Sequence, residues 1–141
     1  MMAGIRSRDT KPERLIRSAL HRRGLRFRLG TKDLPGRPDL VLPKHRAAIF
    51  VNGCFWHGHD CRFFKWPETR REFWAKKISG NRHRDATVLA AVRAKGWRHL
   101  TIWECAVRGA GEGAVDRVAD NVVDWLVTGT DAGGELRGAG P

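Results

Sequence analysis

The segment Cys54-Phe55-Trp56-His57-Gly58-His59-Asp60-Cys61 constrains this chain most, because it sets two thiols and two imidazoles within eight residues that carry no aliphatic side chain. A loop of that composition has almost no aliphatic packing of its own, and closed metal coordination would pin it. It can offer three ligands to one ion, and Cys105 directly follows the strand-like run His99–Trp103, so a strand end beside the loop would complete a tetrahedral site. Cys3His is a common structural zinc set, and ligand softness favours zinc. Three cysteines in a chain with no secretory h-region argue against a disulfide framework. The plainer reading of Cys105 is a small buried hydrophobe. His59, two residues before Cys61, can turn toward the same ion; His57 is then free, either as a general base or as an ordinary hydrogen-bonded histidine.

Periodicity around this loop predicts one α/β domain. Thr10-Lys11-Pro12-Glu13 has the form of a capping box with Pro in the first turn, and Leu15, Ile16, Ala19 and Leu20 make an apolar stripe, giving a helix over 11–23. Alternation over Leu25–Leu29, then the apolar runs 39–42 and 47–51, read as three strands. Pro67 opens a helix, the Ser79-Gly80-Asn81 step breaks it, and a second helix follows over 82–95. His99–Trp103 is a fourth strand, and Val115, Val118, Val122, Val123 and Leu126 mark a last amphipathic helix. Residues 1–128 form the expected domain; 129–141 is a Gly-rich tail expected to be disordered. No apolar run approaches the roughly 20 residues that span a bilayer, so a cytoplasmic protein with no membrane partner is expected.

Charge narrows the partner. The chain carries a net +12, and the excess is uneven: residues 1–104 hold 24 basic and 9 acidic side chains, residues 105–141 hold 3 and 6. Phosphate neutralisation makes nucleic acid the default partner of such a surface, a solvated basic face being the alternative. Seven of the twelve aromatic residues fall between Phe55 and Trp74, interleaved with cations that include Arg62, Lys65, Arg70 and Lys77. Aromatic faces among cations suit stacking and wedge insertion. Phe73 and Trp74 fit ordinary packing on a helix, whereas Phe55 and Trp56 have little core near them and are the expected wedge. Among carboxylates, Asp39 enters a strand from the Pro-Gly-Arg-Pro turn, where it could hold Mg²⁺; Glu13 and Asp85 are further candidates, each also explained by a local cap or ion pair.

Five ordered motifs then resemble the very short patch repair (Vsr) DNA mismatch endonucleases: Arg8-Asp9-Thr10, Leu34-Pro35-Gly36-Arg37-Pro38-Asp39, Gly53-Cys54-Phe55-Trp56-His57, Glu72-Phe73-Trp74 and Trp103-Glu104-Cys105. The resemblance implies a restriction-endonuclease-like fold, with a small central mixed sheet flanked by helices, that nicks double-stranded DNA 5′ to the T of a T:G mismatch arising from 5-methylcytosine deamination. It implies that Asp39 and the backbone carbonyl of Val51 bind catalytic Mg²⁺, that His57 is the base, and that Glu13 and Asp85 hold the active site together. It further implies that Cys54, His59, Cys61 and Cys105 bind structural zinc, that Phe55 and Trp56 insert at the mismatch, and that Arg8 and Lys65 contact DNA.

Two features depart from the family pattern. Asn52 stands where the family commonly has a His that assists at the scissile phosphate; an amide donates a hydrogen bond but does not shuttle a proton at neutral pH. The N-terminal arm before Thr10 is also shorter. Competing readings are a same-fold DNA nickase of relaxed or different specificity and a catalytically weakened DNA-binding protein. One nick per mismatch requires only a monomer, working at the bacterial nucleoid.

Overall fold

A computed structural model of the protein describes residues 10–30 and 32–138. Helix α1 (Lys11–Arg22) is followed by strands β1 (Arg28–Leu29), β2 (Leu40–Leu42) and β3 (Ala47–Asn52), helix α2 (Arg71–Ala94), strand β4 (Arg98–Trp103), helix α3 (Ala114–Thr128) and strand β5 (Gly133–Leu136). The sheet order is β1-β2-β3-β4-β5, antiparallel from β1 to β3 and parallel from β3 to β5. This is the small mixed sheet with flanking helices that the family resemblance implied. Among the described residues no helix is long and apolar enough to cross a membrane.

Strand alternation sorts the core onto two faces. Leu40, Leu42, Ala47, Ile49, Leu100 and Ile102 pack with Ile16, Leu20, Val118, Val122 and Leu126 of α1 and α3. Val41 and Ala48 face the other way, against Val88 and Val92 of α2 and against Trp97. Two arginine bonds lock α1 to α3: Arg23 reaches Asp120 at 2.9 Å and Asp116 at 3.2 Å. At the start of α1 the Glu13 amide donates to the Thr10 hydroxyl at 3.4 Å, as the capping pattern predicts. Leu15, placed in the apolar stripe by sequence, is instead 42 % exposed.

Three boundaries differ from expectation. The strand read over Leu25–Leu29 pairs only at Arg28 and Leu29, while Leu25 and Phe27 pack on the core. The two helices expected on either side of Gly80 are one 24-residue helix. A glycine inside a helix costs only about 1 kcal/mol relative to alanine, and local contacts outweigh it: Ile78 is 2 % exposed, and the Asn81 amide donates to the Trp56 carbonyl at 2.8 Å. That helix begins at Arg71 rather than Pro67, after Arg70 adopts φ 55° with its guanidinium 4.2 Å from the Phe73 ring centroid.

The tail differs most. Residues 133–136, expected to be disordered, form β5 along the open edge of β4. The Gly-Gly pair that reads as linker is a packing requirement: a Cβ on Gly133 would enter the His99 ring, and one on Gly134 would lie 3.1 Å from Trp125 Nε1. Composition alone cannot separate a flexible glycine from one that makes room for a neighbouring ring.

His99 is 5 % exposed, neither ring nitrogen has a hydrogen-bond partner, and burial, helped by the charge of Arg93, lowers its pKa. A depressed histidine binds its proton more readily in the unfolded chain, so the stability it provides is complete above the unfolded value near 6.5 and is lost as pH falls toward the folded value. His99→Leu is therefore expected to show a smaller fall in Tm between pH 7.5 and pH 5.5 than the parent. Equal falls would mean that His99 is not the group responsible.

Candidate active site and metal centre

Because β3 and β4 run parallel and in register, their C-terminal ends lie side by side, with Asn52 opposite Trp103. Both chains then leave the sheet at that edge, one through Gly53 and Cys54, the other through Glu104 and Cys105. The antiparallel β2 begins at the same edge, which places Asp39 beside the end of β3. Asp39 is 9 % exposed and accepts the Val51 amide at 2.7 Å. The N–H and C=O of a strand residue point to the same edge, so the Val51 carbonyl lies on the Asp39 side as well.

A cleft of about 660 Å³ opens over this edge. Asp39, Val51, Asn52, Gly53 and Glu104 form its floor, Lys77, Asn81, Arg84, Asp85 and Val88 of α2 its roof, and Trp56 and His57 one wall. Thr10 and Pro12 bring the start of α1 to it, and Arg37 lines it in the left-handed conformation at φ 48°. His57 Nδ1 lies 2.5 Å from Asp85 Oδ2, with the two side chains 23 % and 34 % exposed. That contact occupies Nδ1 and leaves Nε2 to act elsewhere, the arrangement that fixes an imidazole's tautomer and orientation. The cleft therefore joins a buried carboxylate, an oriented imidazole and two cationic side chains of α2, Lys77 and Arg84, the latter bonded to Asn81 Oδ1 at 3.2 Å, which together suit a phosphodiester.

The other side of the same strand ends carries the Cys–His cluster. Ligand atoms of Cys54, His59, Cys61 and Cys105 all lie within 4.8 Å of one another, and all four residues are buried. The three cysteines are free thiols, and Cys105 Sγ is 3.7 Å from His59 Nδ1. His59 Nε2 is buried with no hydrogen-bond partner. Burial pushes the Cys54 thiol well above its ordinary pKa and holds the His59 imidazole below its own. Three buried thiols and a buried imidazole converge on one point, and this donor set fits a divalent metal, which such ligands bind tetrahedrally. Trp103 separates the two sites: its ring stacks on His59 at 4.0 Å and meets His57 edge-on at 6.0 Å.

The aromatic expectation changes in its surroundings. Phe55 and Trp56 are half-buried and have a packing partner: Phe55 contacts Phe64 at 5.9 Å and Trp74 at 5.3 Å, and Trp56 meets Trp74 at 5.7 Å. Trp66 and Phe73 are the exposed members of the group, at 43 % and 44 %. Glu13 does not line the cleft; it is 5 % exposed and pairs with Arg17 at 3.2 Å. Lys65 is exposed and outside the cleft wall. Arg8 lies outside the described residues. Sequence reasoning named Lys77 only as one of the cations among the aromatics and missed Asn81, Arg84 and Glu104 as cleft residues. Lys77, Asn81 and Asp85 recur every four residues, a one-face signal that the expected break at 79–81 concealed.

A family model described as DNA mismatch endonuclease Vsr matches residues 1–63. The type II nicking enzyme V.XorIIP of Xanthomonas oryzae is 46 % identical over 124 residues, 88 % of this chain and 90 % of that protein. The DNA mismatch endonuclease Vsr of Escherichia coli is 42 % identical over 125 residues, 89 % of this chain and 80 % of that protein. The chain belongs to the Vsr family. It is a DNA endonuclease, and its fold is that of a nuclease catalytic domain: the catalytic domain of the homing endonuclease I-Bth0305I aligns with TM-score 0.57 over 87 % of this chain and 100 % of that domain, at 21 % identity. In this Vsr-family chain the cleft and the Cys–His cluster lie at one strand edge, on either side of Trp103.

If the His57–Asp85 contact orients the imidazole, Asp85→Asn is expected to lower kcat about 10²-fold or more with little change in duplex affinity. Single-turnover cleavage beside a binding titration checks this, and an unchanged kcat would remove the contact from the machinery.

Proposed function

We propose that this endonuclease nicks one DNA strand 5′ to the T of a T:G mismatch by Mg²⁺-dependent phosphodiester hydrolysis, with zinc in the Cys54–His59–Cys61–Cys105 cluster as a structural ion. The observation that carries the reading is the placement of Asp39 and the Asp85-held His57 in one cleft whose wall continues into the Phe55–Trp56 pair. The names of the E. coli and Xanthomonas relatives, a mismatch endonuclease and a nicking enzyme, point the same way.

Asp39 and the Val51 carbonyl would hold Mg²⁺, which when bound draws charge from the scissile phosphate and favours attack at phosphorus. The Val51 amide keeps the Asp39 carboxylate turned toward that position. Asp85 takes the Nδ1 proton of His57 in a hydrogen bond, and Nε2 accepts the proton of the attacking water. Asn52, at the end of β3, donates its amide to a phosphate oxygen, and Lys77 and Arg84 neutralise the backbone from the roof. Glu13, buried under Arg17, fixes the first turn of α1 and so the position of Thr10 and Pro12 in the wall.

Phe55 and Trp56 enter the stack at the mismatch, where unstacking costs least. Their contacts with Phe64 and Trp74 make the wedge a rigid body whose shape is set before DNA arrives. Lys65, and Arg8 in the N-terminal arm, add phosphate contacts. The enzyme acts as a monomer on duplex DNA in the bacterial cytoplasm.

End-labelled duplexes, fully paired or carrying each single mismatch, test the reading with Mg²⁺ present and after its removal by chelator. The expected outcome is one nick in the T strand of T:G only, abolished by the chelator and reduced about 10³-fold by Asp39→Ala. Equal cutting of paired DNA would overturn the mismatch assignment, and undiminished cutting by Asp39→Ala would overturn the site. Trp56→Ala is expected to lower the ratio of T:G to paired cutting about tenfold while leaving the metal content of the chain unchanged; an unchanged ratio would remove Trp56 from the wedge.

A further inference from the structure

Residues 133–138 do more than cover an edge. Three contacts run from this segment to the walls of the Cys–His cluster, from three different residues. Glu135 Oε1 accepts the indole N–H of Trp103 at 2.6 Å, and Trp103 is the ring stacked on His59 at 4.0 Å. Arg137 grips Asp60, which sits between the ligands His59 and Cys61, through two bonds of 2.8 Å, one to the carboxylate and one to the backbone carbonyl. The Gly138 amide donates to Cys105 Sγ at 3.3 Å. The parallel pairing of β5 with β4 sets the register of all three.

The contacts act on different ligands in different ways. An indole pinned at its nitrogen keeps the stacking plane that sets the tilt of His59. Closing the Asp60 backbone from outside fixes the spacing of His59 and Cys61. An amide donated to sulfur stabilises the thiolate that metal binding requires. Outer-shell partners of this kind typically change metal affinity 10–100-fold when removed. Helix α2 holds residues 56–58 of the ligand loop through Asn81, Asp85 and Ile78, and the C-terminal segment grips its other end at Asp60.

Resting on the reading of the cluster as a metal centre, we infer that the C-terminal strand and the two residues after it are the outer shell of that centre: Glu135, Arg137 and Gly138 position its ligands and govern how fast the metal is lost. The tail is thus a strap, and the metal centre is complete only when β5 is docked.

The test follows metal release rather than cleavage. Full-length protein is assayed for metal per chain by elemental analysis, then mixed with a chromogenic chelator, and release is timed for the parent, Arg137→Gln, Glu135→Ala, Glu135→Gln, a chain ending at Thr130, and the control Thr130→Ala. Release about tenfold faster is expected for Arg137→Gln, for Glu135→Ala and for the truncated chain. Glu135→Gln, which keeps an acceptor for the indole N–H, is expected to restore slow release, and Thr130→Ala is expected to match the parent. Circular dichroism of the metal-loaded proteins confirms that each is folded. Because the two single substitutions leave β5 otherwise intact, they decide the matter if the truncated chain fails to fold. Parental release rates in both Arg137→Gln and Glu135→Ala would overturn the inference. A parent chain without metal, even after incubation with Zn²⁺ under reducing conditions, would instead overturn the metal centre itself.

Discussion

The parallel pairing of β3 with β4 is the constraint on which the molecule depends. It sets Asn52 opposite Trp103, and both chains leave the sheet at the same height. From that register follow the proximity of Cys54 to Cys105 and of Glu104 to the Cys54 amide, which it accepts at 3.4 Å, while the antiparallel β2 brings Asp39 to Val51 at the same edge. Slipping the pair by one residue would turn Leu100 and Ile102 out of the α1–α3 core and separate the cluster from the cleft together. The hydrophobic alternation that selects the fold is thus also what assembles the chemistry.

A second dependence runs through α2. This helix has only two fully buried side chains, Ile78 and Val92, yet it supplies the roof of the cleft. It is held in place by the polar bonds from Asn81 to Trp56 and from Asp85 to His57, four residues apart on one face. The same two bonds set the backbone of the aromatic pair and the orientation of the imidazole. On the proposed reading, target recognition and water activation would share one rod.

Most of this was legible in the sequence where side-chain chemistry repeats a local rule. The capping pattern at Thr10, the apolar runs of β2 and β3, the close spacing of Cys54, His59 and Cys61, and the amphipathic stripe of α3 each need only neighbouring residues to be read. What escaped depends on partners distant in the chain. Gly80 looks like a helix stop until Asn81 is seen bonded to Trp56, and the false break hid the Lys77–Asn81–Asp85 face. Gly133 and Gly134 look like a linker until His99 and Trp125 are seen filling the space where side chains would stand. Phe55 and Trp56 look unsupported until Phe64 and Trp74 arrive from beyond the ligand loop.

The ligands of the Cys–His cluster come from two places in the chain, and the 43 residues between Cys61 and Cys105 contain the whole of α2 and β4. In topological terms a metal held there is a cross-link that ties off this excursion, much as a disulfide would. Chain-entropy reasoning gives closure of a loop that long a weight of about 4 kcal/mol against the unfolded ensemble. The excursion carries the thinly buried helix that steadies the imidazole. A structural ion, remote from the scissile bond, would therefore act where hydrophobic burial is weakest, by denying the roof of the active site the freedom to open.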